Sequence, residues 1–178
     1  MEEPKKMTST IVETSTGIII LTPKQKSWVL IIFLSIITLQ FTNGIVQSLF
    51  FTDDLPLVGR IAIFILSSFI AYFSFKELMW QSKGVQEINI NNDELKLSKL
   101  SPISSKTKTY RLSEVKTIDV KHESVSEGPM AMLQLLRITD KTKITFSYGY
   151  STVIATSGID LTEALELKNI IKNKIESY

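Results

Sequence analysis

The fold of this chain is decided by the stretch QKSWVLIIFLSIITLQFTNGIVQSLFF, residues 25–51. Its first half is almost unbroken hydrocarbon, whereas its second half contains several polar residues. A helix crosses the roughly 30 Å hydrocarbon core of a bilayer with about 20 mostly apolar residues. Residues 28–51 are therefore long enough to span a membrane, provided that the polar half faces another helix. Two alternatives stay open: a pair of helices buried in a soluble protein, and a re-entrant segment that turns at Asn43 and Gly44.

A partner helix is available in LPLVGRIAIFILSSFIAYFSFKELMW, residues 55–80. Tryptophan and lysine mark the level of the lipid headgroups, and both flank the apolar runs at what would be one membrane face. We expect this interface to contain Trp28, Trp80, Lys24, Lys26 and Lys76. By the positive-inside rule, both termini are then cytoplasmic and the turn with Asp53 and Asp54 is outside. The polar contact between the two helices is expected to use Gln40, Asn43, Gln47, Ser67 and Ser68.

The composition excludes several classes of protein. The chain has 178 residues, a formal net charge of +2, a single histidine and no cysteine. Without cysteine there is no disulfide, no thiolate metal site and no cysteine nucleophile. A nearly balanced charge argues against a dedicated nucleic-acid binder, which has a strongly basic face. Apolar residues crowd positions 28–80 and thin out afterwards, so the two parts of the chain are expected to occupy different environments.

After Gly84 the apolar residues alternate with polar ones, which is typical of β-strands. The runs VQEININN and ELKLSKL around an Asn/Asp turn predict a β-hairpin. KTKTYRL and VKTIDVKHE predict two further strands, MAMLQLLRITD (130–140) a fifth and ITFSYGY a sixth. SPISSK and FSYGYSTVIATSG, residues 146–158, are expected to be loops. This spacing of strands indicates an antiparallel barrel or sandwich.

Both ends of the chain contribute to the predicted domain. TIVETSTGIIILTP has two β-branched runs and could supply one or two strands, so that the helical hairpin is an insertion after an early strand. GIDLTEALELKNIIKNKIESY has apolar residues at helical spacing, with Asp160 as N-cap and Glu163 three residues later. The expected organisation is residues 1–26 as a cytoplasmic N-terminal segment, 27–81 as a transmembrane hairpin with helices at about 27–51 and 56–80, and 84–178 as a cytoplasmic β-domain with a C-terminal helix at 161–176.

Several short strands followed by one amphipathic helix resemble the pleckstrin-homology-like (PH-like) barrel. Together with the hairpin, this order resembles small bacterial membrane proteins that join a two-helix anchor to a PH-like domain. The likeness rests on IVETSTGIIILTP, INNDELKLSKL, TYRLSEVKTIDVKHE and FSYGYSTVIATSGIDLTEALELKNIIKNKI; the turn TDKTKI lacks a glycine that often sits there. The resemblance implies an α+β membrane protein with an antiparallel PH-like β-barrel closed by the C-terminal helix. It also implies an accessory protein of the plasma (inner) membrane whose barrel binds peptides, proteins or lipid headgroups.

The leading functional expectation is a non-catalytic interaction module that is tethered to the bilayer and binds another membrane or cytoplasmic protein. Tyr148, Gly149 and Tyr150 are its expected contact residues, because exposed aromatic side chains on a loop are typical anchors for a protein partner. An unpaired strand edge is a second place where a partner could bind.

The alternative expectation is a sensor of anionic lipid headgroups. The loop at 104–111 concentrates Lys106, Lys108 and Arg111 among hydroxyl side chains, and such groups together bind phosphate. Anionic lipids attract each basic residue near the membrane by about 1 kcal/mol. A solvated edge strand whose lysines discourage aggregation explains the same residues.

The sequence does not predict an enzyme. His122 lies beside Glu123 and near Glu127, and a hydrolytic or acid–base enzyme around His122 is a distant alternative. Neighbouring residues on a strand point to opposite faces, and no motif supplies a nucleophile or a glycine-rich phosphate loop. One histidine with scattered carboxylates is not a ligand set, so neither a metal nor another cofactor is expected.

Overall fold

A computed structural model describes residues 8–50, 56–122 and 142–177 of the chain. It is an α+β structure with three helices and two antiparallel sheets. The elements in chain order are β1 (Thr10–Thr14), β2 (Gly17–Pro23), α1 (Trp28–Phe50), α2 (Leu57–Lys83), β3 (Val85–Asn91), β4 (Glu94–Ser101), β5 (Ser104–Arg111), a 3-10 turn (Leu112–Glu114), β6 (Val115–His122), β7 (Thr142–Tyr148), β8 (Ser151–Ser157) and α3 (Leu161–Glu176).

The first sheet has the strand order β1-β2-β3-β4-β5. The β3–β4 hairpin turns at the Asn/Asp pair expected from the sequence, and Asn92 has a φ of 47°, which Asn tolerates better than most residues. SPISSK is not a loop, because β4 and β5 pair up to Ser101 and Ser104 and leave only two residues for the turn. The two N-terminal strands expected from the β-branched runs are present, and β2 pairs with β3.

Period-two alternation buries one face of this sheet. Ile20 pairs with Ile88, and Ile88 pairs with Leu97, so these side chains lie on the same face of three adjacent strands. Ile20 and Ile88 are fully buried. This face packs in one core with apolar residues of β7 and α3, which are Ile144, Phe146, Ala164, Leu167 and Ile171.

The second sheet has the order β6-β7-β8. Its last strand corrects a prediction, because residues 146–158 do not form a long loop: β7 ends at Tyr148 and β8 begins at Ser151. In β8 the half-buried Val153 and Ala155 are followed directly by the buried Thr156, so buried and exposed residues do not alternate regularly. A β-bulge where β8 pairs with Ile144 and Thr145 interrupts the period of two. The predicted strand at 130–140 lies outside the described residues.

The predicted closed barrel is wrong for the described strands, because no ladder joins the two sheets. After β5 the chain turns through the 3-10 turn, where the buried Leu112 points into the core, and β6 then begins a separate sheet. One side-chain amide bridges the gap instead. The Gln86 amide on β3 donates to the Ser157 carbonyl at 3.2 Å and accepts from the Ser157 N–H at 3.0 Å.

Helix α3 packs on the sheets and also holds the two residues before β1, Thr8 and Ser9. Asp160 caps the helix by accepting a hydrogen bond from the Leu161 N–H. Glu163 does not complete a capping box; its carboxylate accepts from the Thr8 hydroxyl at 2.6 Å and the Ser9 N–H at 2.7 Å. Burial alone would raise the pKa of Glu163, but these hydrogen bonds from Ser9 and Thr8 outweigh it and lower the pKa below its ordinary value.

Helices α1 and α2, together called the helical hairpin, pack against each other between β2 and β3 in the chain. Both are long and apolar enough to cross a membrane. Their apolar side chains are exposed rather than buried; Leu39 is 73% exposed and Val58 is 79% exposed. That exposure argues against the alternative of two core helices. Helix α1 is continuous through Asn43 and Gly44, so the re-entrant turn is not formed.

Candidate functional site: a basic pocket at the helix–sheet junction

A cavity of about 300 Å³ lies where the last turns of α2 meet the β4–β5 hairpin. We call it the junction pocket. It is lined by Phe73, Lys76, Glu77, Trp80, Lys99, Ser104 and Lys106. The cavity is comparable in size to small ligand sites, which start at about 300 Å³. Its lining combines two aromatic rings with three ammonium groups, one hydroxyl and one carboxylate.

Helix α2 supplies one wall because its sequence changes from apolar to charged at Lys76. Phe73, Lys76 and Trp80 are spaced by three and four residues, so they lie on the same face of the helix. The helix ends where Gly84 donates its N–H to the Trp80 carbonyl at 2.8 Å. A methyl group at Gly84 would overlap that carbonyl oxygen and the Trp80 ring, so the glycine permits the close contact that fixes Trp80.

Strands β4 and β5 supply the opposite wall. Lys99 and Lys106 are direct cross-strand partners, and Ser104 lies two residues before Lys106 on the same face. Like charges directly opposite each other on a sheet destabilise it. The Lys99 ammonium group lies 5.7 Å from the Trp80 ring, within the range of a cation–π contact. The register of the hairpin thus concentrates positive charge at one end of the sheet.

The pocket has an excess of positive charge. Within residues 8–50, 56–122 and 142–177, none of the ammonium groups of Lys76, Lys99 and Lys106 forms an ion pair with a carboxylate. The Glu77 carboxylate accepts a hydrogen bond from the Gln81 side chain at 2.8 Å. Three cations and one carboxylate therefore leave two uncompensated positive charges around a polar and aromatic cavity. An anion such as a phosphate is the chemical complement of this arrangement.

The structure brings together only part of the predicted lipid-binding set. Lys106 lines the junction pocket, whereas Lys108 pairs with Leu97 one step further along β5. Arg111 lies at the far end of β5, where it is 4.0 Å from the Glu114 carboxylate. The segment at 104–111 is a strand rather than a loop. Lys106 and Lys108 share one face of the strand but only Lys106 reaches the pocket, and Arg111 lies on the opposite face.

The predicted interface residues gather near the start of α1 and the end of α2. The Lys24 N–H donates to the Gly84 carbonyl at 2.8 Å, so the chain enters the hairpin beside the point where it leaves. Trp28 is 68% exposed, and Lys26 is exposed two residues before it. Lys76 and Trp80 belong to the junction pocket.

The predicted protein-binding residues have different surroundings. Tyr148 packs on the core, with its ring 5.0 Å from that of Tyr110 in an edge-to-face contact. Gly149 has a φ of 57° in the β7–β8 turn, a conformation that suits glycine. Tyr150 projects from that turn and is fully exposed. Of the two tyrosines, only Tyr150 is fully exposed.

His122 lies at the exposed end of β6. Its Nδ1 atom is 2.9 Å from the Thr142 hydroxyl on β7. Glu123 and Glu127, the carboxylates considered beside it, lie outside the described residues. Among the described residues, no group of three or more histidine or acidic side chains could bind a metal ion.

The sequence analysis did not single out Phe73, Glu77 or Lys99 of this pocket, and Lys99 is the most consequential of them. It falls within the predicted strand ELKLSKL, on the same face as Leu95 and Leu97. Its pairing with Lys106 follows from the two-residue turn at Pro102 and Ile103, so a correctly assigned hairpin register would have revealed it. Its contact with Trp80 joins distant parts of the chain and has no local signal.

No model of a protein family matches the chain, and no curated protein matches it.

Proposed function

We propose that this protein is a non-catalytic module anchored in a bacterial plasma membrane, and that its junction pocket binds the headgroup of an anionic phospholipid. The observation that carries the proposal is the convergence of Lys76, Lys99 and Lys106 on a cavity beside Trp80. The class of small bacterial membrane proteins with a two-helix anchor and a PH-like domain is part of the same proposal. It is supported by strands that are followed by one closing helix.

The proposed depth of the pocket follows from the pattern along α2. The helix carries no charged residue from Ile61 to Phe75, and Lys76 begins its polar end. Those 15 uncharged residues, together with the first helical turn of α2, are long enough to cross most of the hydrocarbon core of a bilayer. Lys76 and Trp80 would then lie at the level of the headgroups, where tryptophan and lysine are most stable. A lipid phosphate would meet the pocket without leaving its leaflet.

The proposed orientation has both termini in the cytoplasm. Lys24, Lys26, Lys76 and Lys83 lie at the same end of the helical hairpin, which favours that end on the cytoplasmic side. Because the chain has no cysteine, single cysteines report orientation without background. Lys26→Cys should react with an impermeant maleimide only in inverted vesicles, and Asp54→Cys only in right-side-out ones. The opposite labelling would overturn the orientation.

The headgroup proposal is tested with Trp80 as the reporter. The chain has two tryptophans, so Trp28→Phe leaves Trp80 as the sole tryptophan, which can be excited selectively over the tyrosines. We expect brominated phosphatidylglycerol to quench Trp80 more strongly than brominated phosphatidylcholine in mixed bilayers of the full chain. Lys99→Glu with Lys106→Glu should abolish this preference. Two lysines at about 1 kcal/mol each correspond to roughly 30-fold in relative affinity.

The matched control reverses the same number of charges on the same β4–β5 hairpin. Lys108→Glu with Arg111→Glu lies outside the junction pocket and should leave the preference within about twofold. The preference should also fall as salt is raised from about 0.1 M to 1 M, since the Debye length shrinks from about 10 Å to 3 Å. Equal quenching by the two lipids in the parent protein would refute the proposal.

A second candidate function is binding of a protein partner, and it is favoured by one observation, the complete exposure of Tyr150. An aromatic side chain held at the tip of a tight turn is a suitable anchor. Tyr150→Ala should remove a partner that photo-crosslinks to a probe at Ser151. Tyr148→Ala is unsuitable for this test because it would also damage the core. A partner retained by Tyr150→Ala would rule out this anchor.

A further inference from the structure

A stripe of side-chain amides on α1 faces away from α2. Gln40, Asn43 and Gln47 were expected between the two helices, but all three are exposed. At 100° per residue they lie within an arc of about 60° on one side of the helix. The contact with α2 uses other residues: Ser48 and Ser67 are buried, and Gly44 lies against Ser67.

The hydroxyl groups of α1 are satisfied inside the helix. Each donates to a backbone carbonyl three or four residues earlier: Ser35 to Ile31 at 2.8 Å, Thr38 to Leu34 at 2.8 Å, Thr42 to Thr38 at 2.7 Å and Ser48 to Ile45 at 2.8 Å. The three amides differ, because none of them has a hydrogen-bond partner anywhere in the described parts of the chain. They are the polar side chains of α1 that require a group from outside the helical hairpin.

We infer that this face of α1 binds a second copy of the same chain, with the amides of the two copies hydrogen-bonded to each other inside the bilayer. The inference rests on the proposed membrane location. Gln40 lies 12 residues after Trp28, about 18 Å along a helix of about 35 Å, and Asn43 lies about 5 Å further. At those depths water does not reach an amide, and an unpaired amide in hydrocarbon is destabilised.

The chemistry of the stripe favours an identical partner. A side-chain amide both donates and accepts, so it is its own complement, unlike a carboxylate or an ammonium group. Two copies inserted in the same direction are related by a two-fold axis along the membrane normal. That symmetry brings Gln40 opposite Gln40 and Asn43 opposite Asn43 at equal depth, so one pairing satisfies both.

The spacing of the face is that of a coiled-coil seam. The exposed residues alternate at intervals of three and four residues and comprise Phe33, Ile36, Gln40, Asn43, Gln47 and Phe50. Such a heptad seam packs two helices at a small left-handed crossing angle, and polar residues within it fix register and the number of strands. Polar amides at three consecutive seam positions therefore specify a parallel pair in register.

Disulfide crosslinking in reconstituted bilayers tests the inference. Ile36→Cys places a thiol on the seam, and Ser35→Cys places one at similar depth but about 100° around the helix; both parent side chains are exposed. Copper-phenanthroline oxidation should convert most of the Ile36→Cys protein to a dimer of twice the chain mass, at least tenfold more than Ser35→Cys. Adding Gln40→Leu and Asn43→Leu should reduce the Ile36→Cys dimer at least tenfold.

Thr42→Val is the control for removing a polar group, because its hydroxyl bonds within its own helix. It should leave the Ile36→Cys dimer unchanged. Equal crosslinking at the two positions, a dimer that survives loss of the amides, or crosslinks to a different protein would each overturn the inference. Membrane insertion is scored separately by resistance to alkaline carbonate. Inserted protein without a dimer overturns only this inference, whereas protein released by carbonate overturns the membrane location and the inference together.

Discussion

The helical hairpin and the β-domain, which comprises the two sheets and α3, have opposite arrangements of polar and apolar side chains. In the helical hairpin, leucine, isoleucine and phenylalanine face outward, while Ser48, Ser67 and Ala71 are buried between the helices. In the β-domain, Ile20 and Ile88 are fully buried, and none of its described lysines is buried. Both regions belong to one chain, so the difference reflects their surroundings: apolar groups leave water, but hydrocarbon exerts no such force between helices.

The largest expected effect comes from placing one charge on the outside of each region. Ile65 on α2 is 61% exposed and Ile154 on β8 is 54% exposed, so the two sites match in residue type and accessibility. Ile65→Arg should disfavour membrane insertion by about 3 kcal/mol, because arginine replaces isoleucine in hydrocarbon. Ile154→Arg should change stability by less than about 0.5 kcal/mol. Insertion is measured by carbonate extraction after synthesis with membranes, and equal behaviour of the two variants would contradict the comparison.

The next effect compares the truncation of a leucine that is buried in the β-domain with that of a leucine that is exposed on the helical hairpin. Leu167→Ala removes a fully buried side chain of α3 and should lower the free energy of unfolding by about 3 kcal/mol. Leu39→Ala, at a position that is 73% exposed, should lower it by less than about 1 kcal/mol in detergent. Thermal melts of the full chain followed by near-ultraviolet circular dichroism give both values. A larger loss at Leu39 would mean that α1 packs against protein there.

The smallest effect concerns the buried carboxylate that ties α3 to the start of the chain. Glu163→Gln should cost about 2 kcal/mol near pH 7, because a charged acceptor of two hydrogen bonds is lost. The folded-state pKa of Glu163 lies below its ordinary value of 4.5, so the unfolded chain binds the proton more readily. The stabilisation is thus complete above pH 4.5 and is lost as the pH falls through the lowered pKa.

Parallel melts of Glu163→Gln and the parent protein between pH 3 and 7 measure that dependence. Glu166→Gln is the control, since Glu166 is exposed one turn further along the same helix. The stability gap between parent and Glu163→Gln should close towards low pH, and Glu166→Gln should show no gap. A gap that is constant with pH would mean that the ionised carboxylate is not the stabilising group.

Much of the fold was predictable because its signals are local. Residues that are close together in sequence specify the two apolar helices, the Asn/Asp turn before Glu94 and the helix after Asp160. The strand β8 was missed because its serines and threonines resemble a loop, and its burial depends on pairing with β7. The prediction of a closed barrel was wrong because the order of strands along the chain does not show which strand edges hydrogen-bond to each other.

The sequence by itself determined where the chain divides, since a long and mostly apolar run and a period of two are both patterns among neighbouring residues. It also determined that positive charge lies at one end of the helical hairpin. Only the tertiary structure decided that Lys99 and Lys106 meet Trp80, because that contact requires both a hairpin register and the end of a distant helix. It also decided that Gln40 and Asn43 face outward, because the rotation of α1 is set by how closely Gly44 packs against Ser67.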